Sequence, residues 1–306
     1  MLTIHNGTKM QRRIAQMSNF SCIALIGRAN TPGLGDTLTT IGQWLVARNV
    51  TVLVEQETAQ GLGVAGFEAA ALESLARRAD AAVVVGGDGT LLGAGRVLAP
   101  HGVPMLGINH GRLGFMTDVA LTHWQEALAA LLEGKCEIEH RAKLRARVMR
   151  AGREMFNAPA LNDVVVSRGA TGGMIELLVK VDGELMYRQR ADGLIVATPT
   201  GSTAYALSAN GPILHPSLAG LTLVPVAPQT LSNRPIALPD DCVIDIELAG
   251  GREMAVHCDM QSFSELALGD IVRVAKGPHH FTLLHPPGYD YFATLRQKLN
   301  WNLIPA

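Results

Sequence analysis

The stretch Ala81-Ala82-Val83-Val84-Val85-Gly86-Gly87-Asp88-Gly89-Thr90 sets the reading of the first half of the chain. A short run rich in β-branched residues that stops abruptly at glycines reads as a buried strand entering a tight turn. The apolar spacing over Leu91–Leu98 reads as the helix that follows. Upstream, Cys22–Ile26 and Thr51–Val54 are further short apolar runs, with helical spacing over Asp36–Ala47 and Phe67–Arg78. Downstream, Val103–Ile108 is another strand and Leu121–Leu132 an amphipathic helix. Regular alternation of strand and helix implies a parallel sheet with helices packed on it. Ligands of such sheets gather outside the carboxyl ends of the strands.

From about Glu137 the texture changes. Leu144, Ala146 and Val148 alternate with polar residues, as does Met174–Val181, and Val181-Asp182-Gly183-Glu184 reads as a hairpin turn. Helical signals nearly vanish until Tyr291–Asn300. The expected fold class is an α/β N-terminal domain with a parallel sheet, residues 1–136, plus a β-rich, sandwich-like domain over 137–284. The tail 285–306 is expected to pack back on the first domain.

With 306 residues, the chain has room for two domains of roughly 100–200 residues each. Apolar residues make up 48% and charged residues 17%, a globular composition. A formal net charge of −1 leaves no basic footprint, so nucleic acid and anionic membrane are poor partners. Cys22, Cys136, Cys242 and Cys258 are widely spaced, which reads as free thiols in a reducing, cytoplasmic compartment. Residues 1–19, with Lys9, Arg12 and Arg13, read as a polar extension and not a targeting sequence, and no stretch is long and apolar enough to span a membrane. The adjacent His279 and His280 would point to opposite faces of a strand, a poor chelating pair.

Three segments carry chemistry. Glycines at Gly86, Gly87 and Gly89, ahead of a helix, let backbone N–H groups face a phosphate. Asp88, between them, would bind a cation, accept a proton from an attacking hydroxyl, or cap the helix. A Walker-type G-x-x-x-x-G-K-[ST] sequence is absent. The second segment, Asp192 to Ser208 and on to Pro212, leads from an apolar strand, Leu194–Ala197, into a loop dense in hydroxyls. These can grip a ribose or phosphate, or cap their own turn. The third is Asn162-Asp163 at a strand mouth, either turn formers or a pair that reads a nucleoside through its base edge and ribose hydroxyls.

In this order and spacing, Gly86–Thr90, Asn162-Asp163 and Asp192–Pro212 closely resemble the NAD kinases, particularly the bacterial type. The resemblance runs from Ala24 to the end, through Gly107–Phe115, Asp259-Met260-Gln261 and Tyr289–Phe292. The glycine–aspartate loop is shared with phosphofructokinase-like and diacylglycerol kinase-like enzymes. The resemblance implies ATP-dependent phosphorylation of the 2′-hydroxyl of the adenosine ribose of NAD. Asp88 then matches the general base, and Gly86, Gly87, Gly89 and Thr90 lie near the donor phosphates. Asn162 and Asp163 hold the adenosine, with Asp163 standing where Glu is usual. Arg190 and Asp192 are further NAD contacts; Thr203, Ala204, Tyr205 and Ser208 lie along the dinucleotide, and Gln261 is a late contact. It also implies a divalent metal, Mg²⁺ or Mn²⁺, bound mainly through ATP and not by a dedicated protein site, and a homodimer or homotetramer built through the β-rich domain. Competing readings are a lipid or sugar kinase of the same architecture and a non-catalytic NAD-sensing module.

Overall fold

In the computed structural model, which describes residues 20–111 and 113–301, the chain divides into two compact units: Met1–Glu139 with Thr282–Ala306, and His140–Phe281. The polar extension read over residues 1–19 lies outside the described residues.

In the first unit the chain runs β1 (Cys22–Gly27), α1 (Leu34–Val46), β2 (Thr51–Glu55), α2 (Gln56–Leu62), β3 (Glu68–Ala70), α3 (Leu72–Arg78), β4 (Ala81–Gly86) and α4 (Asp88–Leu98). It continues through β5 (Met105–Asn109), β6 (Val119–Ala120), α5 (Trp124–Leu132) and β7 (Glu137–Arg141). The second unit contains β8 (Leu144–Arg150), β9 (Arg153–Ala160), β10 (Asp163–Arg168), β11 (Ile175–Val181), β12 (Glu184–Ala191), β13 (Gly193–Ala197), α6 (Tyr205–Ser208) and β14 (Gly220–Val226). After it come β15 (Ile236–Pro239), β16 (Ile244–Gly250), β17 (Met254–Cys258), β18 (Ser262–Leu266) and β19 (Ile271–Lys276). β20 (Phe281–His285) and α7 (Tyr291–Leu299) complete the chain.

The sheet of the first unit has the order β3-β2-β1-β4-β5-β20-β7, with β6 added on β5. β1 pairs in parallel with both β2 and β4, and β4 with β5. Between β1 and β4 the connections therefore switch from one side of the sheet to the other. That opens a crevice at the carboxyl ends of these two strands. Apart from Cys22 at the start of β1, the residues of β1, β4 and β5 are all buried, as a sheet covered on both faces requires. α1 presents Leu34, Leu38, Ile41 and Leu45 to the core at helical spacing, all 0% exposed. Each such side chain contributes roughly 1.5–3 kcal/mol on burial.

Two helical expectations change. Phe67–Arg78 is not one helix: β3 extends the sheet beside β2, with Leu53 opposite Glu68, and α3 begins only at Leu72. Phe67 packs where a Cβ on Gly42 of α1 would stand, and sheet pairing overrides the helical spacing of this stretch. α2 has no counterpart in the sequence reading. The Glu55 carboxylate accepts from Glu57 N–H at 3.0 Å and Thr58 N–H at 2.6 Å, and Gly63, at φ 66°, ends the helix in the left-handed region.

The second unit is built of two six-stranded sheets, β15-β14-β13-β10-β17-β18 and β12-β11-β16-β19-β8-β9, and its pairings are antiparallel. Their facing side chains, among them Val164, Val166, Leu177, Val179, Leu194, Val196, Ile244 and Ile246, form one core. On the opposite face of β10 and β13, Val165, Ile195 and Ala197 pack with Val224 and with Ala206 of α6. β13 is thus buried on both faces, which explains its unbroken apolar run. The Val181–Glu184 turn has Asp182 at φ 50° and Gly183 at φ 84°, the two left-handed residues of a type I′ hairpin. Among the described residues, no helix is long and apolar enough to cross a membrane.

Candidate functional site

β4 delivers the chain into Gly86-Gly87 and α4 starts at Asp88, half-buried, with Gly87 extended ahead of it. The Asp88 carboxylate makes no bond to its own helix. Oδ2 accepts from Phe115 N–H at 2.7 Å, while Oδ1 accepts from Met116 N–H, Thr117 N–H and Thr117 Oγ1–H, each at 3.0 Å. A carboxylate offers about four acceptor positions. Three donors saturate Oδ1, and Oδ2 keeps a lone pair for a further proton or donor. The reading of Asp88 as a helix cap is therefore replaced: it anchors residues 115–117.

Two glycines permit this approach. A Cβ on Gly114 would run into Asp88 Oδ1 and Thr117 Oγ1, and one on Gly107 would stand 2.9 Å from Met116 O and from Thr117 Cα. Behind them Asn109, 4% exposed, donates from Nδ2 to Thr117 Oγ1 at 3.2 Å and accepts from Gly111 N–H at 2.8 Å. The motif Gly107–Phe115 is thus one side of the cradle that holds Asp88.

At the carboxyl ends of β1, β4 and β5 lies a cavity of about 190 Å³, lined by Arg28, Thr31, Gly86, Gly87, Asn109 and His110 among others. It opens at the crevice made by the switch in strand order. Among the described residues its lining holds a guanidinium, a hydroxyl and backbone amides and no carboxylate, which suits an anion. Gly89 is exposed, and Thr90 folds its hydroxyl against Gly86, where a Cβ would lie 2.8 Å from Oγ1. Arg28 and Thr31 were not singled out from the sequence. Their position immediately after the first strand of a parallel sheet was the available signal.

In the second unit, Asn162 and Asp163 sit at the head of β10, held by Asp259. That carboxylate accepts from the N–H groups of Leu161 at 2.8 Å, Asn162 at 2.7 Å and Asp163 at 3.2 Å. Asp259 was quoted only as part of a motif, yet it organises this corner from 97 positions away, with Asp259 and Met260 both at positive φ. Asn162 O accepts from Thr198 N–H at 2.9 Å and stands against Gly201 so closely that no Cβ fits there. The start of the hydroxyl-rich loop is thereby pinned beside Asn162-Asp163. Gln261 is exposed in the adjoining turn, its N–H donating to Cys258 O at 3.0 Å.

Asp163 is 3% exposed, and its carboxyl is pushed up to about 7, first by burial and then by the Asp259 charge. A folded-state value above that of the unfolded chain favours the fold at low pH. The contribution fades as pH rises from about 4 towards 7, where the buried group must ionise. Asp163→Asn is therefore expected to raise the Tm of the ligand-free protein at pH 8 while leaving it nearly unchanged at pH 4. Thermal melts of both proteins across this range check the sign; equal shifts at both pH values would remove the ionisation argument.

The hydroxyls of the loop are mostly used internally. Thr198 Oγ1 donates to Leu161 O, Ser202 Oγ donates to Pro199 O at 2.6 Å and accepts from Leu214 N–H, and Thr203 Oγ1 donates to Thr200 O at 3.1 Å. Of the two readings left open for this segment, these three residues follow the self-capped turn. Ala204 is half-buried between the 3₁₀ turn Gly201–Thr203 and α6, whereas the exposed Tyr205 and Ser208 line a pocket of about 630 Å³ with Asn210, Pro225, Asn233 and Arg234. The backbone of Arg190 and Asp192 borders the same region: Gln229 N–H donates to Arg190 O and Asp192 N–H to Val226 O. Their side chains differ. Arg190 is exposed, whereas Asp192 is gripped at both oxygens by Arg168, at 2.7 and 3.3 Å.

The ATP-NAD kinase N-terminal domain family matches residues 23–136, and the ATP-NAD kinase C-terminal domain family matches residues 161–285. The chain belongs to the NAD kinase family. It is 54% identical over 285 residues to the NAD kinase of Burkholderia lata, covering 93% of this chain and 95% of that one. To the NAD kinase of Paraburkholderia phytofirmans it is 53% identical, over 94% and 96% of the two chains. Among solved structures, an NAD kinase from Archaeoglobus fulgidus in complex with ATP superposes with a TM-score of 0.70 at 26% identity, over 92% of this chain and 99% of the other. Yeast NADH kinase complexed with NADH has the same fold, with a TM-score of 0.87 at 23% identity over 94% and 89% of the chains. As an NAD kinase the protein is an ATP-dependent phosphotransferase that converts NAD to NADP.

Proposed function

We propose that in this NAD kinase Asp88 is the general base that takes the proton from the ribose 2′-hydroxyl as the phosphoryl group arrives. The observation that carries this reading is the carboxylate fixed by four donors with one acceptor position left on Oδ2. Such fixing removes the cost of orienting the base at the moment of transfer. Phosphoryl transfer otherwise asks for in-line positioning and neutralisation of charge. Arg28, the amides of Gly86, Gly87 and Gly89, and Thr90 would hold the donor phosphates at the carboxyl ends of β1 and β4. A divalent metal, Mg²⁺ or Mn²⁺, would supply further neutralisation and suits the phosphates of ATP better than the carboxylate-free lining around Arg28.

Asn162 and Asp163 would hold the adenosine of NAD, with Arg190, Asp192, Thr203, Ala204, Tyr205, Ser208 and Gln261 along the remainder. The rigid corner that Asp259 builds supports this assignment for Asn162 and Asp163. The exposed Tyr205 and Ser208 beside a pocket support it for the loop, whereas the Arg168 ion pair makes Asp192 the weakest member of the set. The α/β unit thus handles ATP phosphates and the β-rich unit most NAD contacts. We place the enzyme in the cytoplasm as a homodimer or homotetramer, in keeping with its free thiols.

Hydrogen exchange with and without NAD tests the division of work. Saturating NAD without ATP is expected to increase protection over Thr203–Ser208, where Tyr205 and Ser208 are exposed, because binding orders groups that this part of the loop leaves to solvent. Protection confined to Gly86–Thr90 would place NAD recognition in the α/β unit instead.

A further inference from the structure

His285 ends β20 and is 1% exposed, yet a carboxylate faces each ring nitrogen. Nδ1 lies 2.9 Å from Asp118 Oδ2 and Nε2 lies 3.0 Å from Glu139 Oε2. The Tyr289 ring stacks on the imidazole, with centroids 3.8 Å apart and planes 7° from parallel. A neutral imidazole has one N–H and cannot donate to both carboxylates, so this geometry holds the ring as imidazolium. Burial by itself lowers the pKa of such a ring. Asp118 and Glu139 outweigh it and hold the value above the ordinary histidine range. The ionisable groups facing the ring are Asp118 from the segment before β6, Glu139 from β7 and Tyr289 from the stretch after β20. One step further out, burial and then the Asp118 charge push the Cys136 thiol up to about 12.

Chain continuity gives this cluster a consequence for the reaction. Asp118 follows Thr117 directly, and Phe115, Met116 and Thr117 provide all four donors to Asp88. On the other side, Val119 begins β6 and pairs with Ile108 of β5. The segment that holds the proposed base is therefore fixed at one end by a strand and at its Asp118 side chain by a buried cation.

We infer that His285 is a positioning residue for phosphoryl transfer, clamping Asp118 so that the Phe115–Thr117 donors hold the Asp88 carboxylate in place. The clamp is complete below the ordinary histidine range and is lost as pH rises through the raised value of the ring. This inference rests on the reading of Asp88 as the base, and its test separates the two.

His285→Gln keeps a hydrogen-bonding side chain and removes the charge. It is expected to lower kcat about 10–100-fold with KM for NAD within about twofold, since a small misplacement of a reacting group acts on turnover. The wild type is expected to show an alkaline decline in kcat that the variant lacks, and the variant should lose hydrogen-exchange protection at the amides of Phe115, Met116 and Thr117. Combined with Asp88→Asn, it should cause no further loss, because its effect passes through Asp88. Unchanged protection at those three amides would overturn the clamp, and so would a double variant whose kcat falls by the product of the single effects. Near-normal turnover in Asp88→Asn alone would overturn the base instead, leaving the clamp to be judged by protection. If His285→Gln does not fold, Asp118→Asn removes the paired charge at similar size and is held to the same outcomes.

Discussion

Asp88→Asn is expected to lower kcat by about 10²–10⁴-fold, the range for loss of a general base, with a much smaller change in KM for NAD. The substitution preserves shape but reverses the chemistry at one of two atoms. If the amide oxygen takes the place of Oδ1, it can still accept from Met116 and Thr117, but the amide nitrogen then meets the Phe115 N–H donor to donor. The flipped amide offers its oxygen to Phe115 and turns its nitrogen towards three donors. Either way the 115–117 segment loosens, so part of the lost rate would come from positioning and not from the missing base. Steady-state kinetics with both substrates, read beside amide exchange at Phe115–Thr117, separate these parts. Turnover within about threefold of wild type would make Asp88 a structural anchor only.

The parts of the fold that were legible are those with local causes. β1, β4 and the hairpin at Asp182-Gly183 follow from apolar runs ended by glycine or turn residues, and β2 from a short β-branched run. Residues 67–78 were misread because their spacing suits a helix in isolation. The pairing of Leu53 with Glu68, which no local pattern announces, makes part of the stretch an edge strand. α2 was missed for the opposite reason: seven residues carry too little periodicity, although Glu55 and Gly63 mark its two ends.

The site divides in the same way. Gly86–Thr90 was legible as a glycine turn between a strand and a helix because an apolar run stops there and helical spacing follows. What Asp88 touches was not, since its partners lie 27 to 29 positions away and three of its four donors are backbone groups that carry no side-chain signature. Asp259 escaped for the same reason, because it works on the backbone of residues 161–163. Conversely, the Thr203 hydroxyl is visible in the sequence, whereas its bond to Thr200 O is not.

Gly114→Ala is expected to lower kcat about 10²-fold while leaving the ionisable group itself in place. The added Cβ would occupy the space of Asp88 Oδ1 and Thr117 Oγ1, two atoms that also bond to each other at 3.0 Å. Neither belongs to a long flexible side chain that could swing aside. Relief must come from the carboxylate or from the backbone of 114–117, and a displacement of about 1 Å at a reacting group costs on the order of 10² in rate. Overpacking of this kind also destabilises by roughly 1–3 kcal/mol, so melting temperature is measured alongside. Gly173→Ala is the matched control: a Cβ there meets nothing within 4 Å, and its effect on stability should stay within about 0.5 kcal/mol. If Asp88 is the base, Asp88→Asn should cost at least as much turnover as Gly114→Ala, because displacement weakens a base that deletion removes. A Gly114→Ala enzyme with wild-type kcat and wild-type exchange at Phe115–Thr117 would show that the tight approach at residue 114 does not set the position of the carboxylate.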